Sequence, residues 1–178
     1  MSFPTLESQR IILRELIESD VTSLYEVYSN EKAMRHWDSM PHSDVSITLK
    51  ALHRMVELWY LQQGVSWGVV IKDSQKLIGQ CSLHSWNIEQ KEAQLGYIIN
   101  PQYWGNGYGS EVLKIVVNFG LNQLCLNTII AEIDPNNLTS AAILEKHGFS
   151  VSEHRKNDLI VNGIYHDTNI YKLHSSYA

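Results

Sequence analysis

Cysteine is scarce, and no long apolar run is present. The 178-residue chain has two cysteines, Cys81 and Cys125. Two are too few for a disulfide framework, and both are expected to be buried free thiols of a reduced protein. The eight histidines form no HExxH motif and no cluster with cysteine, so no metal site is expected. No stretch approaches the ~18 apolar residues needed to cross a bilayer, so no membrane partner is expected. Residues 1–7 lack the basic start and apolar core of a signal peptide, which makes a cytoplasmic location the expectation. Internal repeats and low-complexity linkers are also missing. Basic charge is in deficit: 14 Lys and Arg against 19 Asp and Glu leave a net charge of -5, which argues against a nucleic-acid partner.

What is present is the composition of a globular chain, 44% hydrophobic and 10% aromatic, enough for one buried core without staples. Residues 10–14 read as a strand. Ser19 or Asp20 can cap a helix whose apolar face is Val21, Leu24, Tyr25 and Tyr28. Ser43 or Asp44 can cap a second helix carrying Ile47, Ala51, Met55, Leu58 and Trp59, with Gly64 as its stop. The period then changes. Residues 67–71, 77–85 and 93–99 read as strands joined by polar turns, an antiparallel meander closed by Asn100-Pro101. A glycine-rich segment opens an apolar helix with Val112, Leu113, Val116, Val117 and Phe119. Residues 128–133 are a strand, Asp134 to Asn137 lead into a helix stopped by Gly148, and Asn162-Gly163 signals a final hairpin. This order implies an α+β (mixed α/β) layer of helices on a largely antiparallel sheet.

The segment Trp104-Gly105-Asn106-Gly107-Tyr108-Gly109-Ser110-Glu111 carries the chemical signal. Glycines let a ligand approach the main chain, and the helix start offers unpaired N–H groups with the positive end of the dipole behind them. Together they suit a phosphate or pyrophosphate. A P-loop would need Gly-Lys-Ser/Thr, but Gly109-Ser110-Glu111 stands here. A dinucleotide fingerprint would place its third glycine one residue later, in a parallel βαβ unit, although Asp134 mimics the ribose-binding acid. A turn that only packs the helix on the sheet is the plain structural alternative.

The loop Gly105 to Gly109 resembles motif A of the GCN5-related N-acetyltransferases (GNAT), which binds the pyrophosphate of acetyl-CoA. Gly107 and Gly109 match its glycines, and Trp104 replaces its usual Gln or Arg. With Tyr103 and Tyr108 the context resembles the Rim-type branch, the ribosomal-protein N-acetyltransferases and their relatives. Further matches follow in order: Arg10 to Arg14 with Asp20, Ile78-Gly79 with Leu83, Ala93 to Tyr97, Asn137 to Ser140, Leu144 to Phe149, and Asn162-Gly163 with Tyr165 to Asp167. They span about residues 8–174, expected as one N-acetyltransferase domain.

The resemblance implies a mostly antiparallel twisted sheet of about seven strands with about four helices, and a V-shaped splay between strands 4 and 5. It implies acetyl-CoA as cosubstrate, held by the main chain at Ile98 and Ile99, by Trp104, Gly105, Asn106, Gly107, Tyr108, Gly109 and Ser110, and by Asn137. Ser140 is the candidate to protonate the leaving thiolate, with helix capping as its structural alternative. For the base, relatives often carry Glu where Gln94 stands. His84, Glu92 and Asp158 are the candidates here, each with a solvated or structural alternative. Trp37, Trp59, Trp67 and Trp86 could line an acceptor site, Trp59 and Trp67 being better explained by the core. The expected activity is direct acetyl transfer to a primary amine, either a protein N-terminus or a small molecule. The alternative is a non-catalytic acyl-CoA sensor, suggested by Gln94. A homodimer, through the final strands or the helices, stays open.

Overall fold

Alternating and fully apolar stretches build one sheet, and the 3.6-period stretches cover its two faces. The computed structural model describes residues 2–175. The strands are β1 (Leu6–Glu7), β2 (Ile11–Glu15), β3 (Val65–Ile71), β4 (Leu77–Asn87), β5 (Glu92–Ile99), β6 (Thr128–Ile133), β7 (Ser150–Val161) and β8 (Ile164–His174). The α-helices are α1 (Val21–Tyr28), α2 (Glu31–Met34), α3 (Val45–Tyr60), α4 (Tyr108–Asn122) and α5 (Leu138–Lys146). The strands form an eight-stranded sheet in the order β1-β2-β3-β4-β5-β6-β8-β7. The expected mixed fold is therefore present, with β1 and the short α2 added. Because β1 precedes the first expected strand, the expected strands 4 and 5 are β5 and β6. The packed unit also starts ahead of residue 8: the Trp67 indole donates to the Pro4 carbonyl at 2.7 Å.

Each sheet neighbour is antiparallel except β5 and β6, which pair in parallel. That exception is short. Glu92, Ala93 and Gln94 face Thr128, Ile129 and Ile130, and no pairing follows. The strands then part, which is the expected splay.

One face carries the larger core. Ile11, Leu13, Trp67, Val69, Cys81, Leu83 and Leu95 pack there against Val112, Leu113, Val116 and Phe119 of α4 and Leu144 of α5. Trp67 is completely buried and meets Phe119 edge to face at 5.4 Å. The opposite face packs Val70, Leu77 and Ile98 under Leu24, Val27 and Tyr28 of α1 and Leu52 of α3. Helices thus lie on both sides of the sheet, and a ligand between β5 and β6 is reachable from either.

Several local expectations change. Asp20 does not cap α1. Its carboxylate accepts from the Ile17 N–H at 2.9 Å and from the Arg14 guanidinium at 2.7 and 2.8 Å, so the chain turn ahead of α1 is held by a partly buried ion pair. Asp44 caps α3 as expected, accepting from the Ser46 N–H. Gly64 does not stop that helix. The left-handed residue is Gln62, and Gly64 is needed where β3 begins, pressed against Leu83 and His84. Cys125 is exposed rather than buried, since it sits at positive φ in the loop after α4, while Cys81 is a buried free thiol as expected. The Asn162-Gly163 hairpin forms, with both residues at positive φ.

Gly79 of β4 lies against β5, where an added Cβ would overlap the Ile98 carbonyl. Gly79→Ala should lower unfolding stability by about 3 kcal/mol in urea titrations, because main chain cannot yield as a side chain can.

Candidate active site

The site is built where β5 leaves β6. Antiparallel pairing alternates residues that bond the neighbouring strand with residues that point away from it. Asn100 donates to the Ile78 carbonyl at 2.8 Å, so with the regular register Ile98 and Gly96 also bond toward β4. The main-chain groups of Tyr97 and Ile99 therefore point into the gap. This corrects one expected contact: the Ile98 main chain is committed to Gln80 on β4, and Tyr97 takes its place. The Ile99 carbonyl already accepts from the Trp104 indole at 2.7 Å. Trp104, half-exposed, thereby ties the start of the glycine loop to the end of β5.

The loop itself is strained in a way only glycine relieves. Gly105 and Gly107 have φ of 77° and 79°, the left-handed region. Gly107 is the N-terminal flank of α4 and offers no side chain to cap it. Among the described residues, the N–H groups of Gly105 through Ser110 have no acceptor, and Glu111 is the first to bond back, to the Gly107 carbonyl. The row of free donors sits at the positive end of a 15-residue helix, a cradle for a phosphate or pyrophosphate.

A side-chain brace fixes the cradle. Arg10, just ahead of β2, donates to the Asn106 carbonyl at 3.1 Å and pairs with Glu111 at 2.6 Å, and its guanidinium lies 4.6 Å above the Tyr108 ring. Glu111 also accepts from the Ser8 hydroxyl and the Arg10 N–H. Burial disfavours the Glu111 charge, but these donors outweigh it and hold the carboxyl below its ordinary range. The Ser110 side chain shares a 2.8 Å hydrogen bond with His147, which leaves its N–H for the cradle.

On the α4 and α5 face, Asn137 caps α5 by accepting from the Ser140 N–H at 3.1 Å. The Ser140 hydroxyl shares a 2.8 Å hydrogen bond with the Tyr97 hydroxyl. Desolvation raises the Tyr97 pKa, the Ser140 bond opposing it in part, so the phenol keeps its proton. An added Cβ on Gly109 would lie 3.6 Å from the Tyr97 ring, which sets this hydroxyl pair beside the glycine loop.

On the opposite face lies a cavity of about 230 Å³. Tyr28, Trp37 and His42 line one side and Ser66, Gln80, Ser82 and His84 the other. The Tyr28 hydroxyl donates to Gln80 at 3.2 Å, and the Gln80 amide donates to Ser66 at 2.6 Å. His42 stacks on Tyr28 with ring centroids 5.0 Å apart and shares a bond with the buried Thr48. His84 binds the Ser85 hydroxyl through Nδ1 at 2.9 Å, leaving Nε2 free. Desolvation lowers its pKa, with the nearby Asp38 charge opposing.

Gly96 joins the two faces. A Cβ there would sit 3.4 Å from the Ser82 hydroxyl oxygen and 3.6 Å from His84 Nε2. Without one, the sheet is open just past the last paired residue, between His84 on one side and Tyr97 with Ser140 on the other.

The structure gathers Ser140, His84, Asn137 and the glycine loop around this opening. It does not gather Glu92 or Asp158. Glu92 begins β5 within its paired stretch, about 13 Å of extended strand from Gly96. Asp158 is exposed on β7, 4.0 Å from Arg155, which binds Glu153 more closely. Gln94 cannot take a proton as a base would, and its amide donates to Glu132 of β6 at 3.2 Å. Sequence reading missed the Tyr97–Ser140 pair, the Arg10 brace and the Tyr28–Gln80–Ser66 chain. Each joins residues too far apart in sequence for spacing to show, although Tyr97 does stand out as a hydroxyl on an otherwise apolar strand face.

A family model described as an acetyltransferase (GNAT) domain matches residues 10–150. The uncharacterized N-acetyltransferase YoaA of Bacillus subtilis (strain 168) is 30% identical over 171 residues, 96% of this chain and 97% of its own. The solved structure of the ribosomal-protein acetyltransferase RimL in complex with coenzyme A has a TM-score of 0.88 at 20% identity, covering 98% of this chain and 100% of that one. Spermidine N-acetyltransferase from Vibrio cholerae, solved with CoA and spermine, has a TM-score of 0.83 at 21% identity, covering 95% of this chain and 98% of its own. At these identities the two structures show the fold. Among the described residues no helix is long and apolar enough to cross a membrane.

Gly107→Val should weaken acetyl-CoA binding about tenfold, since a left-handed non-glycine residue costs about 1–2 kcal/mol and a branched one relaxes out of that conformation. Calorimetry should register the loss, and the thermal midpoint should fall by only a few degrees, the size of the left-handed strain, because the new Cβ meets nothing but the Arg10 side chain within 4 Å.

Proposed function

The chain belongs to the GNAT acetyltransferase family, and from that premise we propose that it moves an acetyl group from acetyl-CoA directly to a primary amine at the His84 face of the sheet. The observation that carries this reading is the opening at Gly96. It has a free imidazole nitrogen on one side and a hydrogen-bonded hydroxyl pair on the other, beside an anion cradle.

Acetyl-CoA supplies the acetyl group as a thioester carbonyl open to attack. The N–H groups of Gly105 through Ser110 hold its pyrophosphate, and the Tyr97 main chain offers the pantetheine arm the pairing that β6 does not. Asn137 stands at the same end, its carbonyl oxygen engaged by α5 and its amide N–H groups free to donate. Orienting two reactants at one opening supplies about 7–11 kcal/mol of such a barrier, so no protein nucleophile is required.

His84 Nε2 takes the proton from the amine. Burial keeps the imidazole neutral near pH 7, the form a base needs. As the new C–N bond forms and the C–S bond breaks, Ser140 gives a proton to the departing sulfur. Tyr97, still protonated, holds that hydroxyl in place and can replenish it. Neither Glu92 nor Asp158 is assigned a proton-transfer role, since neither reaches the opening.

Acetyl-CoA binding by calorimetry and CoA release with a panel of amines test the reading together. No binding at millimolar acetyl-CoA would sink it. Ser140→Ala should lower kcat about 10²-fold with acetyl-CoA affinity unchanged. For His84 the sign is fixed by its lowered pKa: kcat should fall as pH drops through a value below the ordinary ~6.5. His84→Gln should lower kcat about 10²-fold and erase that acid limb.

A further inference from the structure

The acceptor face carries a second cavity of about 360 Å³, lined by Leu58, Gln63, His84, Ser85 and Trp86. It meets the first cavity at Leu58 and His84. One volume lies just below and the other just above the lower end of the usual ligand range of about 300–1,000 Å³, which fits a small molecule. Among the described residues no Asp, Glu, Lys or Arg lines either cavity. The walls are aromatic, aliphatic, or neutral and polar. The buried Trp86 indole nitrogen has no hydrogen-bond partner.

The nearby carboxylates do not reverse this. Asp134 is bound to His36 at 2.7 Å, bridging the end of β6 to the segment after α2. Glu132 accepts from Gln94 at 3.2 Å and lies 3.9 Å from Arg155. Asp38 is exposed between the lining residues Trp37 and Ser39, where its charge reaches Tyr28 and His84. There it can draw one ammonium toward His84 from the rim, but it cannot pair a second charge inside.

We infer that the acceptor is a primary monoamine with a neutral, flat or apolar body, and that polyamines are disfavoured because their second ammonium would lie against neutral walls with no carboxylate among the lining residues. The amine nitrogen lies at His84 Nε2, and the body lies against the Tyr28–His42 stack and Trp37. The inference rests on the acetyltransferase reading of the same site. An unpaired cation against such walls loses hydration and gains no partner, while an exposed one stays solvated, so selection arises by rejection.

The test uses pairs of amines that differ in one feature. Butylamine against putrescine isolates the second ammonium, and 2-phenylethylamine against butylamine isolates the flat body. Amine binding is titrated into protein saturated with CoA, and kcat/KM is measured with acetyl-CoA. Butylamine should exceed putrescine and spermidine at least tenfold in both readouts, and 2-phenylethylamine should exceed butylamine at least threefold. Equal or better use of putrescine or spermidine, or binding of none of the monoamines while acetyl-CoA still binds, would overturn the inference and leave the acetyl-CoA reading standing. Loss of acetyl-CoA binding itself would instead overturn the reading beneath it.

Ser39 lines the first cavity from an exposed position and makes no hydrogen bond among the described residues. Ser39→Asp should therefore fold normally and raise kcat/KM for putrescine at least fivefold relative to butylamine. An unchanged ratio would show that a missing carboxylate does not set the selectivity.

Discussion

The structure turns on two parallel strands that stop pairing. After Gln94 and Ile130, β5 and β6 diverge, and main-chain groups that a sheet would ordinarily satisfy are left facing a gap. An edge inside a sheet, rather than at its rim, is a demand for an extended partner, and β-like addition of a ligand is one way to meet it. The other devices serve this gap. Trp104 closes its far end by bonding Ile99, Gly96 keeps its floor open, and the helices on either face wall off two approaches.

The acidic composition and the polyanionic cosubstrate are reconciled by the same main-chain logic. The cradle offers N–H groups and a helix dipole, neither of which adds to net charge. The one guanidinium at the loop, Arg10, has its charge matched by Glu111, so its role there is shape: it grips the Asn106 carbonyl and covers Tyr108. Neutral walls continue on the other face, where burial lowers the His42 and His84 pKa values and raises that of Tyr28.

Much of this was legible in the sequence because it is encoded locally. The Asn162-Gly163 turn, the Asp44 cap and the left-handed glycines ahead of α4 each depend on a few adjacent residues. The parting of β5 and β6 was legible only through family resemblance, since no residue pattern within either strand says where pairing ends. The Tyr97–Ser140 bond spans 43 positions and the Arg10–Glu111 bond 101, distances over which spacing carries no signal. Glu92 and Asp158 were plausible because they are acids near the right strands. Strand rise removes the first and the exposed outer strand the second. Ile98 was the right region with the wrong parity, an error of one residue that flips the direction of every main-chain group.

The parting of β5 and β6 makes the sheet a partition with an opening, beside which Gly96 carries no side chain. The glycine loop is approached from the side of α4 and α5, and the cavities from the side of α1 and α3. The two faces therefore differ in kind, with main-chain donors that suit an anion on one side and neutral walls on the other.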